Sequence, residues 1–236
     1  MPGSKTRLDK VLSQSNVLSR SRTRTAVRQG RISVNGIIVK SAEEKVSEED
    51  IISLDGVQIN RREFFYIMLN KPASYVCSTD DPASPTVLNL LDKKDLPQNL
   101  FPAGRLDKDT VGFVFLTNDG NLAHNLLSPK KHIEKLYYFE CRNPLSAEDI
   151  SRLETGVVLD GAPTKLAKID CNGNRGTIAL TEGRYHQIKR MFGCVGNEIT
   201  FLKRIAFGGI YLDEKLKEGE YRHLTVEEIR ILKNNV

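Results

Sequence analysis

The stretch Gly104-Arg-Leu-Asp-Lys-Asp-Thr-Val-Gly-Phe-Val-Phe-Leu-Thr-Asn-Asp-Gly120 organises the chain. Its first half is polar and carries Arg105, Asp107 and Asp109; its second half is an apolar run over residues 113–116, closed by Asn-Asp-Gly. A charged loop feeding into a buried strand suits a functional acid, because the strand fixes its position while the loop leaves it accessible. By itself Asp107-x-Asp109 is compatible with a polar turn, a nucleophile or a divalent-cation site. No glycine-rich phosphate loop, nucleophile elbow or dinucleotide fingerprint accompanies it, so kinase, hydrolase and dehydrogenase readings lack their parts.

The 236 residues suffice for one large or two modest domains. A hydrophobic fraction of 39% and a charged fraction of 28% are those of an ordinary soluble protein. No apolar run approaches the roughly 20 residues of a membrane span. The basic N-terminus is followed by no apolar core, so no signal peptide is expected and a cytoplasmic location is the default. Cys77, Cys141, Cys171 and Cys194 are scattered, as are the four histidines, which predicts neither a disulfide framework nor a structural metal.

Net charge is +5, and its distribution says more than its size. Lys5, Arg7, Lys10, Arg20, Arg22, Arg24, Arg28, Arg31 and Lys40 face one acid, Asp9, in the first 42 residues. Apolar spacing predicts a helix over 7–15, then a second, capped by Ser19 or Ser21, that runs to Gln29 and stops at Gly30. On it Arg20, Arg24 and Arg28 fall at i, i+4 and i+8, a stripe of like charges whose repulsion phosphates would relieve. Asn35-Gly36, within two short strands over 31–39, is a hairpin signal, and Asp55-Gly56 between 51–54 and 57–59 is a second. Two helices, a hairpin and a basic second helix resemble the S4 RNA-binding domain, over about residues 5 to 55. The resemblance implies recognition of RNA by shape and backbone through Arg20, Arg24, Arg28 and Arg31.

After a short linker at 60–63, a larger domain is expected over 61–236, the first domain being 1–60. Strands are predicted at 64–69, 75–78, 135–141, 165–171, 177–181, 198–202 and 207–212. A loop is expected at 80–85, and short helices follow Asn118-Asp119-Gly120, Ser146, Gly183 and Thr225. With strands dominant, the class is α+β with a mixed, mainly antiparallel sheet.

Gly-Arg-Leu-Asp-x-Asp-Thr-x-Gly with Thr-Asn-Asp-Gly after it resembles the signature of the RsuA-type ribosomal RNA pseudouridine synthases. Leu69-Asn-Lys-Pro72, Glu134-Lys-x-Tyr137 and Glu182-Gly-Arg-Tyr-His-Gln-Ile-Lys-Arg-Met191 agree in the same order. An S4 domain ahead of the catalytic domain is also that family's layout. Residues 75–82 and 184–192 look most like the small-subunit enzyme, although the segment after Leu202 is less basic than that type implies.

The resemblance implies that one uridine of 16S ribosomal RNA is isomerised to pseudouridine, with no cofactor and no metal. Asp107 would be the catalytic acid, acting on the sugar as a nucleophile, as a stabiliser of the sugar cation, or as a base giving a glycal. It must be ionised, which a neighbouring cation favours; by family position that cation is Lys189. Tyr137 would lie against the uracil and relay the C5 proton. Leu202 would pack under the base and exclude water. Arg105 would fill the gap left by the extruded uridine. Lys71 would support the substrate site rather than react, and Asp109 and Thr110 would shape the loop. The expected partner is 16S rRNA within a small-subunit assembly intermediate, bound by a monomer away from membranes. The alternatives are a large-subunit synthase of the same family, a non-catalytic S4-type assembly factor, and a metal-dependent transferase using Asp107 and Asp109.

Overall fold

The computed structural model describes residues 5–14, 17–47, 49–59, 64–92 and 99–235. The chain divides into two compact units, Met1–Phe64 and Phe65–Val236. The expected linker at 60–63 lies outside the described residues.

In the first unit β1 (Thr6–Arg7) leads into α1 (Leu8–Gln14) and α2 (Arg20–Arg28). The strands β2 (Ile32–Val34), β3 (Ile37–Ile38), β4 (Lys45–Val46), β5 (Ile52–Leu54) and β6 (Val57–Gln58) follow. Arg7 thus belongs to a strand and not to the first helix, because the Leu8 and Asp9 amides donate to the carbonyls of Glu44 and Ala42 and tie this end to β4. Ser15, the expected end of that helix, lies outside the described residues. Ser19 caps α2, its hydroxyl accepting from the Arg22 amide at 3.3 Å, and Gly30 follows its end at φ +69°.

Thr23, Ala26 and Val27 are the buried residues of α2, and the two apolar ones pack with Leu8, Leu12, Ile32 and Ile52. That orientation leaves Arg20, Arg24 and Arg28 exposed. Both hairpins form, with Asn35 and Asp55 at φ +52° and +53° and a left-handed glycine after each, the geometry that two-residue turns require. Together they make the order β3-β2-β5-β6.

The second unit opens with β7 (Tyr66–Lys71), β8 (Phe101–Ala103), β9 (Val111–Thr117), α3 (Gly120–Leu127), β10 (Lys135–Cys141) and α4 (Ala147–Thr155). It continues through β11 (Val158–Leu159), β12 (Ala162–Pro163), β13 (Lys168–Asn172), β14 (Arg175–Leu180), α5 (Gln187–Cys194) and β15 (Ile199–Phe207). β16 (Ile210–Tyr211), β17 (Tyr221–His223) and α6 (Val226–Asn234) complete it. Nine strands form one sheet in the order β13-β14-β10-β15-β9-β7-β17, with β16 on β15 and β8 on β9. Among the described residues of this sheet only β15 and β9 run parallel, so the sheet is mixed and mainly antiparallel, as the sequence implies.

β7 and β9 are buried along their whole length. Side chains alternate between the two faces of a strand, so these two must be apolar on both. Ile67, Leu69, Val114 and Leu116 join Leu153 of α4 and Ile188, Met191 and Phe192 of α5. Met68, Phe113 and Phe115 join Leu122 and Leu126 of α3 and Leu232 of α6. Ser146 and Thr225 cap α4 and α6 with complete capping boxes. No helix among the described residues is long and apolar enough to cross a membrane.

Several expected boundaries move. The first strand is shifted to Tyr66–Lys71, so Asn70 and Lys71 lie inside the sheet. Residues 75–78 form no strand; Val76 alone bridges Thr86, its amide taken by the Pro85 carbonyl. The expected strands at 198–202 and 207–212 are replaced by the single long β15, a turn at Gly208-Gly209 and the short β16. β13 and β14 close to a tight turn at Gly173-Asn174.

Candidate active site

The site is built where β9 changes partners along one edge. β7 pairs with the whole of β9, which leaves β8 (opposite residues 115–117) and β15 (opposite residues 111–112) to share the other edge. The polar loop 104–110 joins β8 to β9 and leaves the sheet at that junction. Gly112 permits the crossing. A Cβ there would stand 2.3 Å from the Arg204 carbonyl oxygen, and its φ of +98° is one that side-chain-bearing residues rarely adopt.

Two buried cations hold the loop by its backbone. The Lys71 ammonium donates to the carbonyls of Thr110 (2.7 Å), Pro72 (3.0 Å) and Lys108 (3.1 Å), and the residue is 0% exposed. Burial pushes Lys71 below the ordinary lysine range, while the nearby negative charges of Asp109 and Asp107 act the other way. Arg204 is 1% exposed and donates through Nε to the Phe113 carbonyl (2.7 Å) and through Nη2 to that of Gly104 (2.8 Å). Its guanidinium also lies over the Phe207 ring, 5.3 Å from the centroid. The Leu106 amide points at the Cys77 sulfur (3.3 Å), and the Thr110 amide returns to the Asp107 carbonyl (3.2 Å). Ordering this loop thus brings the Lys71 ammonium within electrostatic reach of Asp109 and Asp107.

Asp107 is partly exposed at the head of the loop. Its Oδ2 lies 3.5 Å from Lys189 Nζ and its Oδ1 3.6 Å from His186 Nε2. Lys189 hydrogen-bonds more closely to Asp109, at 2.6 and 2.7 Å to the two carboxylate oxygens. Burial alone would raise the Asp109 pKa, but the Lys189 hydrogen bond and charge outweigh it and hold the carboxyl below its usual range. One ammonium therefore serves both acids of Asp-x-Asp. Among the described residues, no group of three or more His, Cys, Asp and Glu side chains is gathered as a metal site.

Lys189 owes its position to the packing of α5. Ile188, Met191 and Phe192 are buried, which turns Lys189 outward towards the loop. Gln187 is buried; its Oε1 accepts from the Arg184 amide (2.8 Å) and its Nε2 donates to Glu182 (2.7 Å). The Arg184 guanidinium donates to the carbonyls of Leu159, Ala162 and Pro163, so the β11–β12 hairpin locks the start of the helix.

Tyr137 (9% exposed) and Leu202 (7%) stand on the adjacent strands β10 and β15, and both share one apolar cluster with Leu106 and Ile188. Leu106 and Ile188, the chain neighbours of Asp107 and Lys189, bring an edge of that cluster to the site. Arg105 is exposed at the loop surface. In the separate N-terminal unit, Arg31 differs from the other arginines: it makes a bidentate pair with Asp55 at 2.8 and 2.6 Å. Arg20, Arg24 and Arg28 have no carboxylate within 4 Å among the described residues.

Two residues of this site escape a reading of the sequence. Arg204 reads as a polar break in an apolar segment, whereas it is a buried anchor of the loop. His186 sits in the quoted motif, three residues before Lys189; it precedes α5 at a left-handed φ of +47°, and its Nε2 lies 3.6 Å from Asp107 Oδ1. A carboxylate held rigidly, with a cation and an imidazole beside it and an apolar edge at the site, is equipped for nucleophilic or acid–base work on a flat, uncharged group.

Both units resemble known protein families. Residues 65–193 match the model of the RNA pseudouridylate synthase family, and residues 6–52 match that of the S4 domain. An uncharacterized RNA pseudouridine synthase, YtzG, of Bacillus subtilis (strain 168) is 45% identical over 96% of this chain and 98% of its own length. The ribosomal small subunit pseudouridine synthase A of Escherichia coli (strain K12) is 42% identical over 94% of this chain and 98% of its own. A crystal structure of a pseudouridylate synthase superposes with a TM-score of 0.70 at 42% identity, covering 96% of this chain and 99% of that one. The chain belongs to the RNA pseudouridylate synthase family, in its RsuA-type branch, with an S4 domain ahead of the synthase domain.

Proposed function

We propose that this protein isomerises one uridine of 16S ribosomal RNA to pseudouridine, with Asp107 as the acid that acts on the sugar. The observation that carries the reading is the Asp107 carboxylate itself. It stands on a loop fixed by Lys71 and Arg204, with Lys189 3.5 Å away and an edge of the apolar cluster of Tyr137 and Leu202 at the site.

Uridine and pseudouridine are isomers. The N1–C1′ bond breaks, the uracil turns, C5 joins C1′, and the C5 proton moves to nitrogen through solvent or a relay. The balance needs no oxidant, reductant or energy source, and a cofactor-free mechanism follows from it. The Asp107 carboxylate stabilises or traps the electron-poor C1′, or removes a sugar proton to give a glycal, with the Lys189 ammonium 3.5 Å away. Tyr137 is the candidate to receive the C5 proton, and Leu202 keeps water from the cleaved sugar. Arg105, exposed at the rim, takes the place of the extruded uridine.

The S4 domain supplies a separate grip. Exposed Arg20, Arg24 and Arg28 meet the phosphate backbone, with Arg31 a weaker contributor because Asp55 already neutralises it. The names of the relatives at 42% identity support the small subunit as the source of the RNA. The protein then acts as a cytoplasmic monomer on 16S rRNA within an assembling subunit.

Mapping pseudouridines in rRNA from cells lacking the protein tests the target. Loss of a single 16S pseudouridine, restored by the wild-type gene, is expected. A loss confined to 23S rRNA would move the substrate to the large subunit. An unchanged map in both rRNAs would favour a non-catalytic assembly role.

A further inference from the structure

Beside Asp107 the chain exposes an aromatic surface that the chemistry above does not use. Tyr185 is 72% exposed, so the fold gains little from its ring. The ring lies parallel to that of His186, with centroids 3.8 Å apart and planes inclined by 20°. One face of Tyr185 is therefore covered by imidazole and the other is presented to solvent. His186 in turn reaches Asp107, with Nε2 3.6 Å from Oδ1. The result is a two-ring slab whose inner edge touches the catalytic carboxylate.

The slab is held in place before any RNA arrives. His186 adopts φ +47° without being glycine, a left-handed conformation that costs free energy and recurs at functional sites. That turn puts both rings on one side of the chain. Arg184, the residue before Tyr185, is fixed by its hydrogen bonds to Leu159, Ala162 and Pro163. Arg190 donates to the Tyr185 carbonyl at 3.2 Å and makes a bidentate pair with Asp160 at 2.9 and 2.6 Å. Both ends of the turn are thereby tied to the β11–β12 hairpin.

We infer that the Tyr185–His186 slab is a stacking platform for the nucleobase next to the target uridine, and so a specificity-determining element of the site. It rests on the uridine-isomerase reading given above. An extruded uridine whose C1′ faces Asp107 leaves its neighbour unstacked, and an unstacked base seeks an aromatic face. A platform rigid in the free protein takes that base with little ordering cost. Any base can stack, so the slab selects for a single-stranded or bulged neighbour and favours purines over pyrimidines by overlap.

The sequence contains no tryptophan, which gives a direct test. The Tyr185→Trp variant carries one tryptophan at the platform, and the Tyr211→Trp variant carries one at a 66% exposed position on β16 as a control. Each is titrated with a 16S rRNA transcript while binding is followed by filter retention in the same samples. Quenching of the emission of Tyr185→Trp at RNA concentrations that saturate binding, with the control unaffected, is expected. Tyr185→Ala should lose about 5- to 150-fold in kcat/KM for tritium release from 5-tritiated uridine in that transcript, the range a single base–aromatic stack supplies. Tyr185→Phe and Tyr185→Trp should stay near the wild type.

Binding without quenching at position 185, or equal quenching in both variants, would overturn the platform, as would a loss in Tyr185→Phe equal to that in Tyr185→Ala. Quenching in Tyr185→Trp, together with a wild-type protein that binds the transcript but releases no tritium, would instead overturn the isomerase reading and leave the platform standing.

Discussion

Lys189 Nζ lies 3.5 Å from Asp107 Oδ2 while donating to both carboxylate oxygens of Asp109 at 2.6 and 2.7 Å. The ammonium is thus shared between the acid proposed to react and an exposed one that anchors it. Replacing Lys189 by Gln leaves the two carboxylates facing each other without their cation, and single-turnover tritium release should fall on the order of 10²-fold. Lys189→Arg should keep most of the activity. Asp109→Asn removes only the exposed partner, and its activity should stay within about fivefold of wild type. If Asp109→Asn were as inactive as a variant of Asp107, the roles of the two acids would have to be exchanged.

Arg204 is a buried cation whose hydrogen bonds go to backbone carbonyls. Arg204→Met would leave the Gly104 and Phe113 carbonyls without their donor. At about 1–3 kcal/mol for each group left unpaired, urea denaturation should show a loss of roughly 2–6 kcal/mol. Because the same bonds hold the loop, kcat should fall more than the affinity for RNA. A variant as stable and active as the wild type would remove Arg204 from its anchoring role.

Gly112 tests how closely β15 passes the loop. Gly112→Ala puts a Cβ 2.3 Å from a backbone oxygen at a φ of +98°, and the cost should exceed about 3 kcal/mol or prevent folding. Gly120→Ala, which meets no neighbour within 4 Å, should change stability by less than about 1 kcal/mol. Equal effects at the two positions, read by thermal unfolding, would contradict the packing described.

The C-terminal helix is joined to β17 by charge. Arg222 bridges Asp213 (2.7 Å) and Glu228 (2.8 Å), and Glu228 also accepts from the Thr225 amide that begins α6 (2.7 Å). The Arg222 hydrogen bond, opposed by burial, holds the Glu228 carboxyl below its usual range. A carboxyl depressed on folding contributes stability that is complete above its unfolded pKa, near 4.5, and is lost as pH falls through the lower folded value. Glu228→Gln should therefore cost about 0.5–2 kcal/mol at pH 7, and the difference from wild type should vanish in acid below the folded pKa. Melting temperature against pH for both proteins measures it; a constant difference would exclude the linkage.

The stripe on α2 predicts a salt effect. Charge reversal at Arg20, Arg24 and Arg28 should weaken binding to 16S rRNA and reduce the slope of log affinity against log salt by about 0.7–0.9 for each phosphate no longer neutralised. Arg31→Glu should do less, because Asp55 already neutralises the wild-type side chain. An unchanged affinity and slope in the triple variant would deprive the first unit of its RNA role.

What could be read in the sequence follows from what each segment's own residues determine. β10 was legible to the residue because Tyr137, Phe139 and Cys141 alternate cleanly, and Ser146 and Thr225 announced their helices through local capping bonds. The long β15 was not, because Lys203 and Arg204 interrupt its apolar pattern, and Arg204 is satisfied by the carbonyls of Phe113 and Gly104, remote in sequence. β17 and β8 are three-residue pieces that exist by pairing with β7 and β9. Asp160-Gly161 carries the same turn chemistry as Asn35-Gly36, but its flanking strands of two residues are too short to show a pattern. Asp107, Lys189 and Tyr137 could be named from their motifs. The sharing of Lys189 with Asp109 and the turn of His186 towards Asp107 depend on a distance and a backbone angle, and neither is a property of spacing.

If Asp107 is the acid on which the reaction depends, its loss stops the chemistry and spares RNA binding. This is measured most directly by tritium release from 5-tritiated uridine in a 16S rRNA transcript or partly assembled small subunit, comparing wild type with Asp107→Asn at matched RNA binding. The variant should bind RNA as the wild type does and release tritium more than roughly 10³-fold more slowly. Release by Asp107→Asn at a rate near that of the wild type would contradict it.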